Sequence, residues 1–140
     1  MNSLELRGIT KAFGSGFVLG PLDLVVPRGF VMGLVGANGA GKTTTIKIAL
    51  GMVHTDAGTV DVVPHERVGV VFDVPAYVPD WTAAQVGRGL ASFYPTWDQA
   101  RFDRLLAWAD IAPTKRVKEL SRGMSMKLQL AVALAHGAEL

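Results

Sequence analysis

Apolar and polar residues alternate from Ser3 to Ile9, the period-two pattern of a half-buried β-strand. Gly14-Ser15-Gly16 then signals a turn, and Phe17 to Val26 resumes an extended apolar pattern broken by Pro21. Two such runs around a Gly-rich turn predict an antiparallel hairpin. After the turn Pro27-Arg28-Gly29, the run Phe30 to Val35 is nearly all apolar and predicts a buried strand. Thr45 to Leu50 changes to helical spacing, and Gly51 closes that helix as a C-cap residue. Asp56-Ala57-Gly58 turns the chain into a short strand, Thr59 to Val63, and Val68 to Phe72 reads as another buried strand.

From Thr82 the texture becomes helical. Thr82 can cap a helix running to about Tyr94, with Pro95 as its stop. Thr96 or Asp98 caps a second, carrying Phe102, Leu105, Leu106 and Trp108 at helical spacing. Ser121 has the look of the N-cap of a third, with Leu128, Ala131, Leu134 and Ala135 on its apolar side. Strands thus fill the first half and helices the second, with no repeats and no low-complexity segment. The expected division is a β-rich part at 1–80 and a helical part at 81–140.

The stretch Gly36-Ala37-Asn38-Gly39-Ala40-Gly41-Lys42-Thr43-Thr44 lies between an expected strand and an expected helix. The spacing Gly-x-x-x-x-Gly-Lys-Thr in that setting is a phosphate-binding P-loop. Its glycines let successive N–H groups point inward, and the helix beginning near Gly41 adds its positive end. Lys42 suits the β- and γ-phosphates as a point charge, and Thr43 offers a hydroxyl to Mg²⁺.

Composition narrows the picture further. Of the 140 residues, 49% are apolar and 19% charged, which excludes a disordered chain and allows one domain with a real core. A net charge of +2 gives no reason to expect nucleic acid as a partner. The absence of cysteine excludes disulfides and thiolate metal sites. The N-terminus lacks the build of a signal peptide, and no uncharged apolar run approaches the ~18 residues needed to span a bilayer. His54, His65 and His136 show no metal-ligand spacing.

A second motif selects among P-loop families. Leu120-Ser121-Arg122-Gly123-Met124-Ser125-Met126-Lys127-Leu128 resembles the Leu-Ser-x-Gly signature of ABC transporter ATP-binding subunits, opening a helix about eighty residues after the P-loop. The order between them matches too: a strand ending in Phe72-Asp73, then Pro79-Asp80-Trp81-Thr82, then a helical insertion. The resemblance covers essentially the whole chain. It implies an α/β P-loop NTPase of the ABC ATPase type, with an antiparallel β subdomain, a helical subdomain and an absent C-terminal part.

It also implies roles. ATP and Mg²⁺ are the expected cofactors, and Gly36 to Thr44 the expected triphosphate site. In this family two domains pair head to tail, so Ser121, Arg122, Gly123 and Met124 would face the γ-phosphate held by a second ATP-binding subunit. An ordinary capped helix is the alternative for Ser121-x-Gly123. Phe13 matches the aromatic on which the family stacks adenine, with Val18 flanking the ring; a plain core phenylalanine is the alternative. Thr43 and Asp73 are the candidate metal contacts.

Two positions depart from the family pattern. Asp73 stands where Gln is usual, and Arg122-Gly123-Met124 stands where Gly-Gly-Gln is commonest. In both respects the chain resembles a Gram-positive-type branch of exporter ATPases. The aromatics Trp81, Phe93, Tyr94, Trp97, Phe102 and Trp108 are expected either in the helical core or lining a groove for the permease; Lys115, Arg116 and Lys118 are expected to be solvated.

The resemblance places the catalytic Asp-Glu pair and the switch histidine beyond residue 140, so the chain is expected to be the first two-thirds of an ATPase domain, one that binds ATP without efficient turnover. The implied function is ATP-driven transport, at the cytoplasmic face of the plasma membrane, with a transmembrane permease as partner. A soluble ABC-type ATPase is the alternative, or another P-loop kinase or GTPase, though Leu120 to Lys127 and the lack of Asn-Lys-x-Asp speak against the latter.

Overall fold

A computed structural model of the chain describes all residues 1–140. They form two compact units, Met1–His65 together with Leu140, and Glu66–Glu139.

In the first unit β1 (Asn2–Ala12) is the central strand of an antiparallel sheet ordered β2-β1-β3, flanked by β2 (Val18–Pro27) and β3 (Ala57–Val62). The hairpin and the third strand are therefore where the pattern puts them. The alternation along β1 slips where it matters for the core: Leu4, Leu6 and Ile9 are buried because the register shifts between Leu6 and Ile9. Helix α1 (Lys42–Ala49) lays Ile48 and Ala49 into the core of Leu4, Leu6, Ile9 and Leu19. It ends at Leu50, with Gly51 in the left-handed region at φ +70°.

The second unit packs α2 (Ala83–Ala91), α3 (Gln99–Trp108) and α4 (Arg122–Ala135) around Val86, Phe102, Leu106, Ile111 and Leu128. Its helix starts follow the sequence. Thr82 and Gln85 form a reciprocal capping box, Asp98 accepts from the Arg101 N–H, and Ser121 accepts from the Met124 N–H. Thr96 does not cap; its hydroxyl donates to the His136 carbonyl at 2.6 Å. Helix α2 stops at Ala91, short of Tyr94, leaving Phe93 exposed. The aromatics divide: Phe102 is buried with Trp97 tilted against it, whereas Trp81, Phe93 and Trp108 are exposed. Arg116 and Lys118 are exposed and pair with Asp80, while Lys115 is half-buried beside Met124.

Two expected strands are absent. Phe30–Val35 has no ladder partner within residues 1–140, and Val31 and Val35 are 102% and 92% exposed. Val68–Phe72 is not a strand either, and Val71 and Phe72 are exposed. The physical reason is common to both. An apolar run has the composition of a buried strand, but a strand exists only when a neighbour supplies the hydrogen-bond ladder. The sheet ends at β2 and β3, and neither pairs with these runs.

Candidate functional site

The loop before α1 curls on itself. The Ala40 N–H donates to the Ala37 carbonyl at 3.1 Å, and the Lys42 ammonium donates to the Gly36 and Ala37 carbonyls at 2.6 and 2.7 Å. Gly41, at φ +100°, opens the helix and accepts both the main-chain N–H and the hydroxyl of Thr45. A side chain at Gly41 would be strained by that φ and would place Cβ 2.5 Å from Leu19 Cδ1. With the first helical bond starting at Thr45, the N–H groups of Lys42, Thr43 and Thr44 have no intrahelical acceptor.

These groups border a cleft of about 470 Å³. Seven expected nucleotide residues line it: Phe13, Asn38, Gly39, Gly41, Lys42, Thr43 and Thr44. Gly36, Ala37 and Ala40 shape the loop without lining the cleft, and Val18 is exposed outside it. Ser15 and Phe17 also line the cleft and were not singled out by sequence. Phe17 sits 6.0 Å from Phe13, centroid to centroid, across the hairpin turn closed by the Phe13 N–H donating to the Phe17 carbonyl. The Gly14-Ser15-Gly16 turn between them was the available signal: so tight a hairpin brings its two flanking aromatics together.

The cleft therefore has an aromatic end and a cationic, N–H-rich end. That combination fits a nucleoside triphosphate: rings stack on phenyl faces, and anionic oxygens meet a helix N-terminus and an ammonium. Thr43 supplies one oxygen donor, enough for a Mg²⁺ that takes its remaining ligands from phosphates and water. The structure gathers no three His, Cys, Asp or Glu side chains into a metal cluster.

In the second unit Ser121 N-caps α4, with its hydroxyl 3.2 Å from the Met124 nitrogen. Gly123 faces open space, with nothing within 4 Å of where a Cβ would stand. Met124 packs against the helical core. Asp73 and Arg122, two of the residues that depart from the family pattern, meet each other at 3.2 Å, both well exposed.

A P-loop NTPase with an antiparallel β unit and a helical unit defines the class. The ABC transporter family profile matches residues 19–140, and the chain belongs to that family. It is 34% identical to Nod factor export ATP-binding protein I of Burkholderia lata, covering 95% of this chain and 49% of that one. It is 38% identical to the zinc import ATP-binding protein ZnuC of a Chelativorans species, covering 98% and 48%. It is 30% identical to the ABC transporter ATP-binding protein YtrB of Bacillus subtilis, covering 94% and 48%. The chain thus spans about half the length of these relatives. Among solved structures, an ATP-binding subunit of an ABC transporter superposes with a TM-score of 0.83 at 23% identity, over 95% of this chain and 62% of that one. A nucleotide-free ATP-binding cassette superposes at 0.74 and 21% identity, over 99% and 66%. At those identities the likeness shows the fold. No helix is long and apolar enough to cross a membrane.

Proposed function

We propose that residues 1–140 are the nucleotide-binding part of the ATP-binding subunit of an ABC transporter. The cleft carries this reading, because it joins an aromatic wall at Phe13 and Phe17 to the N-terminus of α1 with Lys42 and Thr43. Lys42 leaves its own loop carbonyls for the β- and γ-phosphate oxygens. The Lys42, Thr43 and Thr44 N–H groups hold the same anion, Thr43 contributes its hydroxyl to Mg²⁺, and the Phe13–Phe17 wall offers the base an aromatic face. Hydrolysis driving transport is the activity of the whole subunit. Its partners are a second ATP-binding subunit, toward which Ser121, Arg122 and Gly123 face, and a permease at the cytoplasmic face of the membrane. Relatives named for export and for import match at 34% and 38% identity, so cargo and direction are assigned to the permease.

Titration of the chain with Mg-ATP tests the reading. Saturable binding is expected, weakened by about 10- to 100-fold in Lys42→Ala, the loss of one or two charge-assisted contacts. Binding of equal strength in Lys42→Ala would overturn it.

A further inference from the structure

The run Val68–Phe72, an expected strand that has no strand partner, is not left loose. Its main chain is held by α4. The Phe72 N–H donates to Gln129 Oε1 at 2.8 Å, and Gln129 Nε2 donates back to the Phe72 carbonyl at 2.9 Å. A side-chain amide thus makes both bonds that a neighbouring strand would make. Gln129 is only 3% exposed, and every polar atom of its amide group that reaches Phe72 is used, so the contact is specific.

Three further contacts run along the same stripe of α4, in antiparallel order. Gly69 approaches so closely that a Cβ there would stand 2.6 Å from Ala133 Cβ. The His136 ring lies beside the polar main chain of Glu66. Asp73 pairs with Arg122. At ~100° per residue, positions 122, 129, 133 and 136 fall within about 60° of one another around the helix.

Magnitudes decide which contact anchors. The Asp73–Arg122 pair is exposed on both sides, 82% and 76%, and such pairs contribute little. The Gln129 clamp is buried and doubly bonded, and its loss leaves a buried polar group unmatched. The ion pair has a different role. Arg122 lies in the first turn of α4, which has no acidic residue, where a cation opposes the helix dipole. The Asp73 carboxylate offsets that charge, but only if something holds Asp73 there.

We propose that Gln129 is a positioning residue that makes α4 and the Glu66–Asp73 segment one moving part, so that Asp73 is carried by the signature helix. Its functional meaning rests on the reading above, in which Ser121 to Gly123 face the nucleotide of a second ATP-binding subunit. Displacement of the first turn of α4 then displaces Asp73 with it.

The test needs no nucleotide, so its failure is distinct from failure of ATP binding. In native-state hydrogen exchange of the chain, followed residue by residue by NMR, the Phe72 N–H is expected to exchange within about tenfold of Val132 in α4, and the two to respond together to low urea. Exchange of Phe72 more than about a hundredfold faster than Val132 would overturn the proposal. Gln129→Met supplies the coupling. With Gln129 present, Arg122→Gln is expected to shift the Asp73 side-chain carboxyl resonance; in the Gln129→Met background the same change is expected to shift it by less than half as much. An undiminished shift would equally overturn it. If Gln129→Met loses the protection of α4 altogether, the wild-type exchange comparison decides alone.

Discussion

Single residues show how far local chemistry could be read. Gly39 and Gly58 both hold positive φ, +84° and +90°, yet their surroundings differ. A Cβ at Gly39 meets nothing within 4 Å, whereas at Gly58 it would stand 2.5 Å from the carbonyl oxygens of both Arg7 and Gly8. A flexible side-chain tip can move aside; the backbone of the sheet's central strand cannot. Gly39→Ala should therefore cost about 1–2 kcal/mol, the left-handed penalty alone. Gly58→Ala should cost clearly more, about 3 kcal/mol or above, because β1 or β3 must shift as well. Urea midpoints of the two variants check the order; equal losses would contradict it. Neither distinction is visible in sequence. Both are glycines at expected turns, and only the β1–β3 register reveals that one of them faces another strand.

Among elements, the helix starts were legible and two of the strands were not. A cap is decided within four residues. Thr82 with Gln85, Asp98 with Arg101, and Ser121 with Met124 each close a bond three residues along the chain. A strand is decided by its neighbour, which the alternation of β1 announced correctly and the apolar composition of Phe30–Val35 and Val68–Phe72 did not. The Asp73–Arg122 pair and the Gln129 clamp cross 49 and 57 residues and left no local signal. The cap at Ser121 also separates stability from ligand recognition. Ser121→Ala should lower the stability of α4 by ~1 kcal/mol, while Ser121→Asp should hold or improve it, since a carboxylate both caps and suits the positive helix end. Exchange of the Met124 and Ser125 amides checks this. In a nucleotide-dependent dimer the order should invert for Asp, whose charge repels a γ-phosphate that Ser121 would bind.

For the molecule as a whole, the cleft was the most legible part because loop, helix start and Lys42 lie within nine consecutive residues. His136 was the least legible, set aside for want of metal-ligand spacing. It is 1% exposed, its ring is stacked on Tyr94 at 4.1 Å and 12°, and its Nδ1 has no hydrogen-bond partner. Burial is the chief cause of a pKa below the ordinary histidine value, opposed by the neighbouring main-chain dipoles of His136 and Glu66. The sign of the consequence follows. The folded chain keeps His136 neutral at pH values where the unfolded chain already binds a proton, near the ordinary 6.5 and below. Stability from this group is thus complete above that value and is lost as pH falls from it toward the lowered folded pKa. The steepest slope a single proton allows is about 1.4 kcal/mol per pH unit. Charging the ring also disturbs more than a proton count, because Tyr94 packs against it and the Thr96 hydroxyl holds the His136 carbonyl. Urea unfolding of residues 66–139, followed by the near-ultraviolet signals of their tryptophans, should show a midpoint that is flat from pH 8 to 7 and falls from pH 6.5 to 5. In His136→Asn that fall should largely vanish, at the cost of a lower midpoint throughout from the lost stacking. A midpoint in the parent chain that is constant or rises on acidification would show that His136 is not held neutral by the fold.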